Sequence, residues 1–234
     1  MFARYAYAPN ALGYCGPNDD ALRSGSSAAV RAAAPRFSGA WPYLRVMAAL
    51  TGVEDPLDAR LVESYWLGGG VGAGLDPAEF AAALLTLIGP SVGHYWSHLT
   101  PDLAAEAAPN HSFHVLGVYP WTRLLGAGSD QALRILDSCR ITRAAVVDRD
   151  EADVVVRCRR LTWDGRTLGL SMPGNRRIPI RHDGYSALPD VAIGDVVALH
   201  WDRLCGRLRP AQAATLTAST ERQIAVTNVR LAGP

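Results

Sequence analysis

Pro189-Asp190-Val191-Ala192-Ile193-Gly194-Asp195-Val196-Val197-Ala198-Leu199-His200 is the stretch from which the fold can be read outward. Gly194-Asp195 predicts a tight turn, and Val196 to Leu199 a short apolar strand that delivers His200 to its far end. Beyond it, Trp201-Asp202-Arg203-Leu204-Cys205-Gly206-Arg207-Leu208-Arg209-Pro210 bends the chain into a run of helix formers from Ala211 to Gln223. Strand, bend and packed helix together describe the closing end of a small β-barrel.

Upstream, the periodicity switches from helical to alternating at Asp137. Ile141 to Val147 and Val154 to Cys158 read as strands joined by the charged turn Asp148-Arg149-Asp150-Glu151. Leu161-Thr162-Trp163 and Thr167-Leu168-Gly169-Leu170 flank Asp164-Gly165, a preferred two-residue hairpin loop. Arg177 to Ile180 and Asp195 to His200 complete a set of about six short strands, whose edges are best hidden by closure. A last helix, about Pro210 to Thr227, packs on that barrel or reaches back toward the N-terminal half.

The first half reads as helix. Residues 1–18 form an aromatic, turn-rich lead-in, and Asp19 or Asp20 caps a helix from Ala21. Trp41 to Leu50 fits one amphipathic helix with Pro42 in its first turn, and the pairs Asp55-Pro56 and Asp76-Pro77 each open another. Residues 91–136 continue helical, ending with Ser129 to Leu136. The expectation is an α+β protein. An all-helical domain over 1–136 precedes a small OB-like β-barrel with a terminal helix over 137–234.

Composition narrows the function classes. With 49% hydrophobic residues the chain builds a core rather than a disordered coil. Its net charge of +1 argues against a protein that holds nucleic acid by neutralising phosphates. Residues 137–234 carry 15 Arg against 11 acids, so the second half suits an acidic partner, with scattered solvated arginines as the plainer alternative. No apolar run is long enough for a bilayer, and the start lacks the pattern of a secretory signal. Cys15, Cys139, Cys158 and Cys205 form neither a CxxC pair nor a zinc knuckle. A soluble, reducing, cytoplasmic setting is expected. No nucleophile elbow, P-loop, dinucleotide-binding glycine signature or carboxylate pair occurs, so the preferred reading is not an enzyme.

Cys139 and His200 stand at the start of the first strand and the end of the last, which a small barrel can bring together. A thiolate with an imidazole suits iron, and neighbouring Arg140 would favour the ionised thiol. The plainer alternative makes Cys139 a buried core residue. The order of parts resembles the HypC/HupF family, chaperones of nickel–iron hydrogenase maturation. The resemblance rests on Pro189, Asp190, Gly194, Asp195, Val197 and His200 in the strand, Leu208 at the helix entry, and Cys139 near strand one. Here the cysteine is internal, whereas the family's follows the initiator methionine. The resemblance implies a chaperone that binds a hydrogenase large-subunit precursor or a maturation scaffold and transiently carries iron through Cys139 and His200. Trp201, Arg140 and Arg157 are the expected partner-binding residues.

The first half adds its own polar cluster. His94 and His98 share a helix face, and His111 and His114 stand three apart beside Phe113, Tyr119 and Trp121. Such pairs can chelate a metal, or stack and hydrogen-bond within a core. Tyr14-Cys15-Gly16-Pro17 places a thiol in a turn, as a ligand or as packing. Two further readings stay open. One is a metal-free module, its barrel binding a peptide or single-stranded nucleic acid through Arg157, Arg159, Arg160, Arg176 and Arg177. The other is a metal-dependent enzyme built on the N-terminal histidines.

Overall fold

The structure, a computed structural model, describes residues 1–17, 22–23, 26–89, 99–127 and 130–233. Its helices are α1 (Phe2–Ala11), α2 (Ser27–Ala33), α3 (Trp41–Thr51), α4 (Ala59–Leu67), α5 (Pro77–Ile88), the single turn α6 (His111–Phe113), α7 (Gln131–Cys139) and α8 (Pro210–Leu231). A π turn over His114–Val118 continues α6 directly. The strands are β1 (Thr142–Arg149), β2 (Asp153–Cys158), β3 (Leu161–Trp163), β4 (Leu168–Leu170), β5 (Gly174–Pro179), β6 (Val196–His200) and β7 (Arg203–Arg207). Helix and strand thus segregate along the chain in an α+β arrangement that ends in a helix. Among the described residues no helix is long and apolar enough to cross a membrane.

The expected barrel is not closed. Antiparallel ladders join one sheet in the order β5-β2-β1-β6-β7, and its edges β5 and β7 touch without pairing. The reason lies in β3 and β4. Instead of acting as staves they form a separate two-stranded ribbon, packed against α7 and α8. The curled face of the larger sheet still buries an aliphatic core, with Val146, Val156, Ile178, Val197 and Leu204 beneath Leu188 and Val191 of the following loop.

Strand β6 has a covered surface on both sides. Val197 and Leu199 enter the core of the curled sheet, whereas Ala198 joins the core shared with the helices. By the period of two, His200 points to the helical side with Ala198. That larger core combines Phe2, Tyr5, Tyr65 and Phe80 with Ile141, Ala198, Cys205 and Leu216. It therefore runs across the boundary expected at 136/137, which itself falls inside α7.

The first residues depart most from expectation. Residues 2–11 are not a lead-in but the helix α1, which buries Phe2, Tyr5, Ala6 and Ala8 and packs on β6 and β7. Its aromatic and alanine positions fill the core, and tertiary packing of that kind outweighs the local cost of Pro9 inside the helix. Elsewhere the caps decide the boundaries. Asp76 Oδ1 accepts from Glu79 N at 2.8 Å with Pro77 in the first turn, as expected for α5. Asp55 accepts from Leu57 in a preceding turn instead, and Asp58 caps α4. Gly68, Gly69 and Gly70, all with positive φ, end α4. A Cβ on Gly69 would lie 2.4 Å from Thr215, so the loop owes its glycine to the close approach of α8. His94, His98, the cap at Asp19 or Asp20 and Ser129 lie outside the described residues.

A candidate metal centre where helices meet the sheet

The geometry of His200 begins with Pro9. In a helix the amide of residue 9 would donate to the carbonyl of Tyr5, but proline has no N–H to give. The Tyr5 carbonyl thus lacks its helical donor, and His200 Nδ1 donates to it at 2.7 Å. A carbonyl only accepts, so this bond places the ring proton on Nδ1 and leaves Nε2 as a bare lone pair. His200 is 1% exposed, and among the described residues no group bonds to that Nε2. Burial pushes its pKa down to about 4, against the carbonyls of Tyr5 and Cys139, which favour the charged ring, so the ring is neutral.

The C-terminal end of α7 supplies the second element. Carbonyls in a helix's last turn have no intrahelical donor. Here Ser138 O accepts from Trp201 N at 2.8 Å and Cys139 O from His111 Nε2 at 2.9 Å. His111 therefore carries its proton on Nε2, while its Nδ1 accepts from the Tyr65 hydroxyl at 3.1 Å. Asn110 caps this turn by accepting from Phe113 N, which fixes where His111 leaves the backbone. Desolvation holds the His111 pKa well below the usual imidazole range, helped by His200 and His114 nearby.

Ligand atoms of His111, Cys139 and His200 all lie within 4.8 Å of one another. They line a small cavity of about 30 Å³, whose wall also includes Cys15, His114, Tyr65, Trp66, Tyr119 and Trp201, and on which Cys139 is half-buried. That is room for a single ion or a water or two. Around it the rings of Trp66, His111 and His200 pack 4.8–5.7 Å apart. His114 is also buried, its Nδ1 is without a hydrogen bond among the described residues, and desolvation lowers its pKa to about 4. Buried polar atoms are normally paired, so unpaired nitrogens on two imidazoles that line one small cavity require an explanation.

The thiol behaves differently from expectation. Burial pushes the Cys139 pKa up to about 12, the Cys15 thiol adds to the rise, and the Trp201 indole partly offsets it. Arg140 contributes nothing to this balance. Its guanidinium turns away to Asp137 Oδ1, at 2.8 Å, and to the Arg159 carbonyl. A metal ion, rather than a neighbouring cation, would have to ionise this sulfur.

Of the expected partner-binding residues, Arg140 is buried in that ion-pair cluster. Trp201 stacks on Tyr14 with ring centroids 4.1 Å apart. With Asp202 it makes the β6–β7 turn at φ values of 52° and 56°. A bulky residue rarely adopts that conformation, and here the stack and the Ser138 bond hold it against the cavity wall. Arg157 is exposed on β2, 3.4 Å from Asn175 Oδ1. The other arginines of the nucleic-acid reading are engaged: Arg160 with Asp137, Arg176 with Asp202, Arg177 with Asp150 and Asp153, and Arg159 with the carbonyls of Leu170 and Ser171.

The Cys139–His200 pair and the His111–His114 pair, read from the sequence as separate, thus come together: His111 joins Cys139 and His200, and His114 lines the same cavity. Sequence reasoning missed the part played by α1 and Pro9. A proline inside an otherwise helical aromatic run was the available signal.

Fold and site together define an α+β protein with an imidazole–thiol cluster set between a strand end, a helix end and the helix α1. The chain belongs to DUF6390, a family of unknown function, which it matches over residues 1–234. Nothing among curated proteins or solved structures matches it.

Proposed function

We propose that this protein is an accessory chaperone of nickel–iron hydrogenase maturation that holds iron at His111, Cys139 and His200. The observation that carries the metal reading is the bare Nε2 of His200, aimed by the Tyr5 carbonyl and standing within 4.8 Å of one thiol and a second imidazole. A backbone carbonyl behind a histidine is the usual device for orienting a metal ligand. One sulfur with two nitrogens fits iron or zinc and disfavours magnesium or calcium, which take oxygen. When bound, the ion would act as cargo for delivery rather than as a reaction centre.

The chain's own residues provide the rest. Tyr5 and the end of α7 orient the imidazoles, Trp66 and Trp201 exclude water, and His111 exchanges its Tyr65 hydrogen bond for the ion. The hydrogenase assignment rests on the Pro189 to His200 motif and on Cys139. Under it the curled sheet serves as an incomplete OB-like barrel, and the client is the large-subunit precursor or a maturation scaffold. Engagement of most candidate arginines with acids and carbonyls disfavours the nucleic-acid alternative.

Anaerobic affinity purification from cells making a nickel–iron hydrogenase tests this reading. The expected result is co-purified precursor or maturation protein, together with iron that disappears in Cys139→Ser. Metal-free protein that recovers neither class of partner overturns it.

A further inference from the structure

A second, larger cleft of about 490 Å³ adjoins the small cavity, lined by Trp41, Arg45, Leu87 and Ile88 among others. The two spaces share four wall residues: Cys15, Gly39, His114 and Tyr119. Two of these carry soft or borderline metal donors. His114 is 7% exposed, its Nδ1 has no hydrogen bond among the described residues, and its ring stands 5.7 Å from that of His111. Cys15 is fixed by the end of α1. Its amide donates to the Pro9 carbonyl at 3.3 Å, and its own carbonyl accepts from Asn10 Nδ2 at 3.2 Å. The same proline that frees Tyr5 for His200 thus also anchors the turn that presents Cys15.

We propose that Cys15 and His114 form an outer pair of ligands on the partition between cleft and cavity, through which a metal ion enters and leaves the inner His111–Cys139–His200 site. The inference rests on the metal reading above and adds a route to it. A site with three inner ligands and no outer ones releases its ion slowly, because a bond must break before another forms. An outer thiol and imidazole let each inner bond be replaced in turn. Cys15 gives its proton to water as its sulfur binds, and takes one back when the ion moves on.

Gly39 sets the width of this passage. A Cβ there would come within 2.9 Å of His114 Nε2, and the residue has no positive φ, so alanine is tolerated by the backbone while crowding the imidazole. Gly39→Ala alters no ligand and tests the passage separately from the donors.

The experiment loads metal-free protein with Co(II) anaerobically, measures affinity by absorption titration, and follows loading and removal by EDTA in stopped flow. Cys15→Ser, His114→Phe and Gly39→Ala are compared with Cys139→Ser, after circular dichroism has shown each variant folded. In the three passage variants, affinity should fall by less than about tenfold, the least that losing an orienting partner of a metal ligand costs, while loading and removal both slow. Unchanged rates in all three overturn the proposal. So does loss of binding in Cys15→Ser as complete as in Cys139→Ser, which would make Cys15 a resident ligand. Failure of the unaltered protein to bind Co(II) takes down the metal reading itself, and the passage with it.

Discussion

Asp137 and Cys139 leave the same last turn of α7 about 200° apart and enter two buried polar clusters of opposite character. Asp137 meets a full set of donors: Arg140 Nε and Nη2, Arg160 Nε, and the Leu161 amide at 2.7 Å. Hydrogen bonds and guanidinium charges overcome desolvation and hold its carboxyl below the ordinary carboxylate range. Cys139 meets two neutral imidazoles and an indole, and burial drives its thiol up to about 12. One cluster is complete as folded and ties β3 to α7. The other pairs both nitrogens of His111 but leaves His200 Nε2 and His114 Nδ1 without a hydrogen bond among the described residues, at a cost in stability. Buried polar groups with all partners present explain a fold, whereas buried donors with none indicate something that arrives later.

The largest effect should come from the complete cluster. Asp137→Ala strands the buried Arg140 guanidinium, and urea denaturation should show a loss of about 3–5 kcal/mol. A loss below about 1 kcal/mol would break the contrast.

A pH series sharpens it from the other side. The folded pKa values of His114 and His200, at about 4, lie below the free value of 6.5, and His111 is shifted the same way. Between those limits the unfolded chain holds more protons than the folded one, so metal-free stability falls as pH drops from about 6.5 to about 4. Each fully shifted group contributes up to about 1.4 kcal/mol per pH unit. A flat denaturation profile across that window would mean that the imidazoles are not buried neutral.

Metal should act on the incomplete cluster alone. At a hundredfold excess over its Kd, a bound ion raises stability by about 2.7 kcal/mol, read as a rise in Tm that a chelator reverses. Cys139→Ser should remove most of that rise while Asp195→Asn keeps it. The same Asp195→Asn variant gives the smallest expected change in stability, about 1 kcal/mol or less. Its partner Arg207 is 40% exposed at the side chain, although Asp195 also accepts from the Ala192 amide.

That last pair shows what the sequence revealed. Asp190 and Asp195 of the opening motif both engage Arg207, and Gly194 takes φ 92° in the turn, so the motif is first a device for pairing β6 with β7. Strand β6, the Leu161–Leu170 hairpin, the Trp41 helix and α8 were legible because each combines a clear period with a strong end signal. Sheet closure was not, since whether β3 and β4 join the larger sheet depends on their packing against α7 and α8. Helix α1 was hidden by Pro9 and by aromatic residues that suggest turns until their burial is known. Cys139, His200, His111 and His114 were each singled out, but in two groups. Only long-range packing brings α6 against the end of α7, and no local pattern encodes that contact.

Titration of the metal-free protein with iron(II) under anaerobic conditions, followed by X-ray absorption at the iron edge, tests the central claim most directly. The account predicts one ion per chain with sulfur and imidazole in its first coordination sphere, both signals lost in Cys139→Ser combined with His200→Gln. Binding that survives that double substitution, or an iron environment made of oxygen alone, would contradict it.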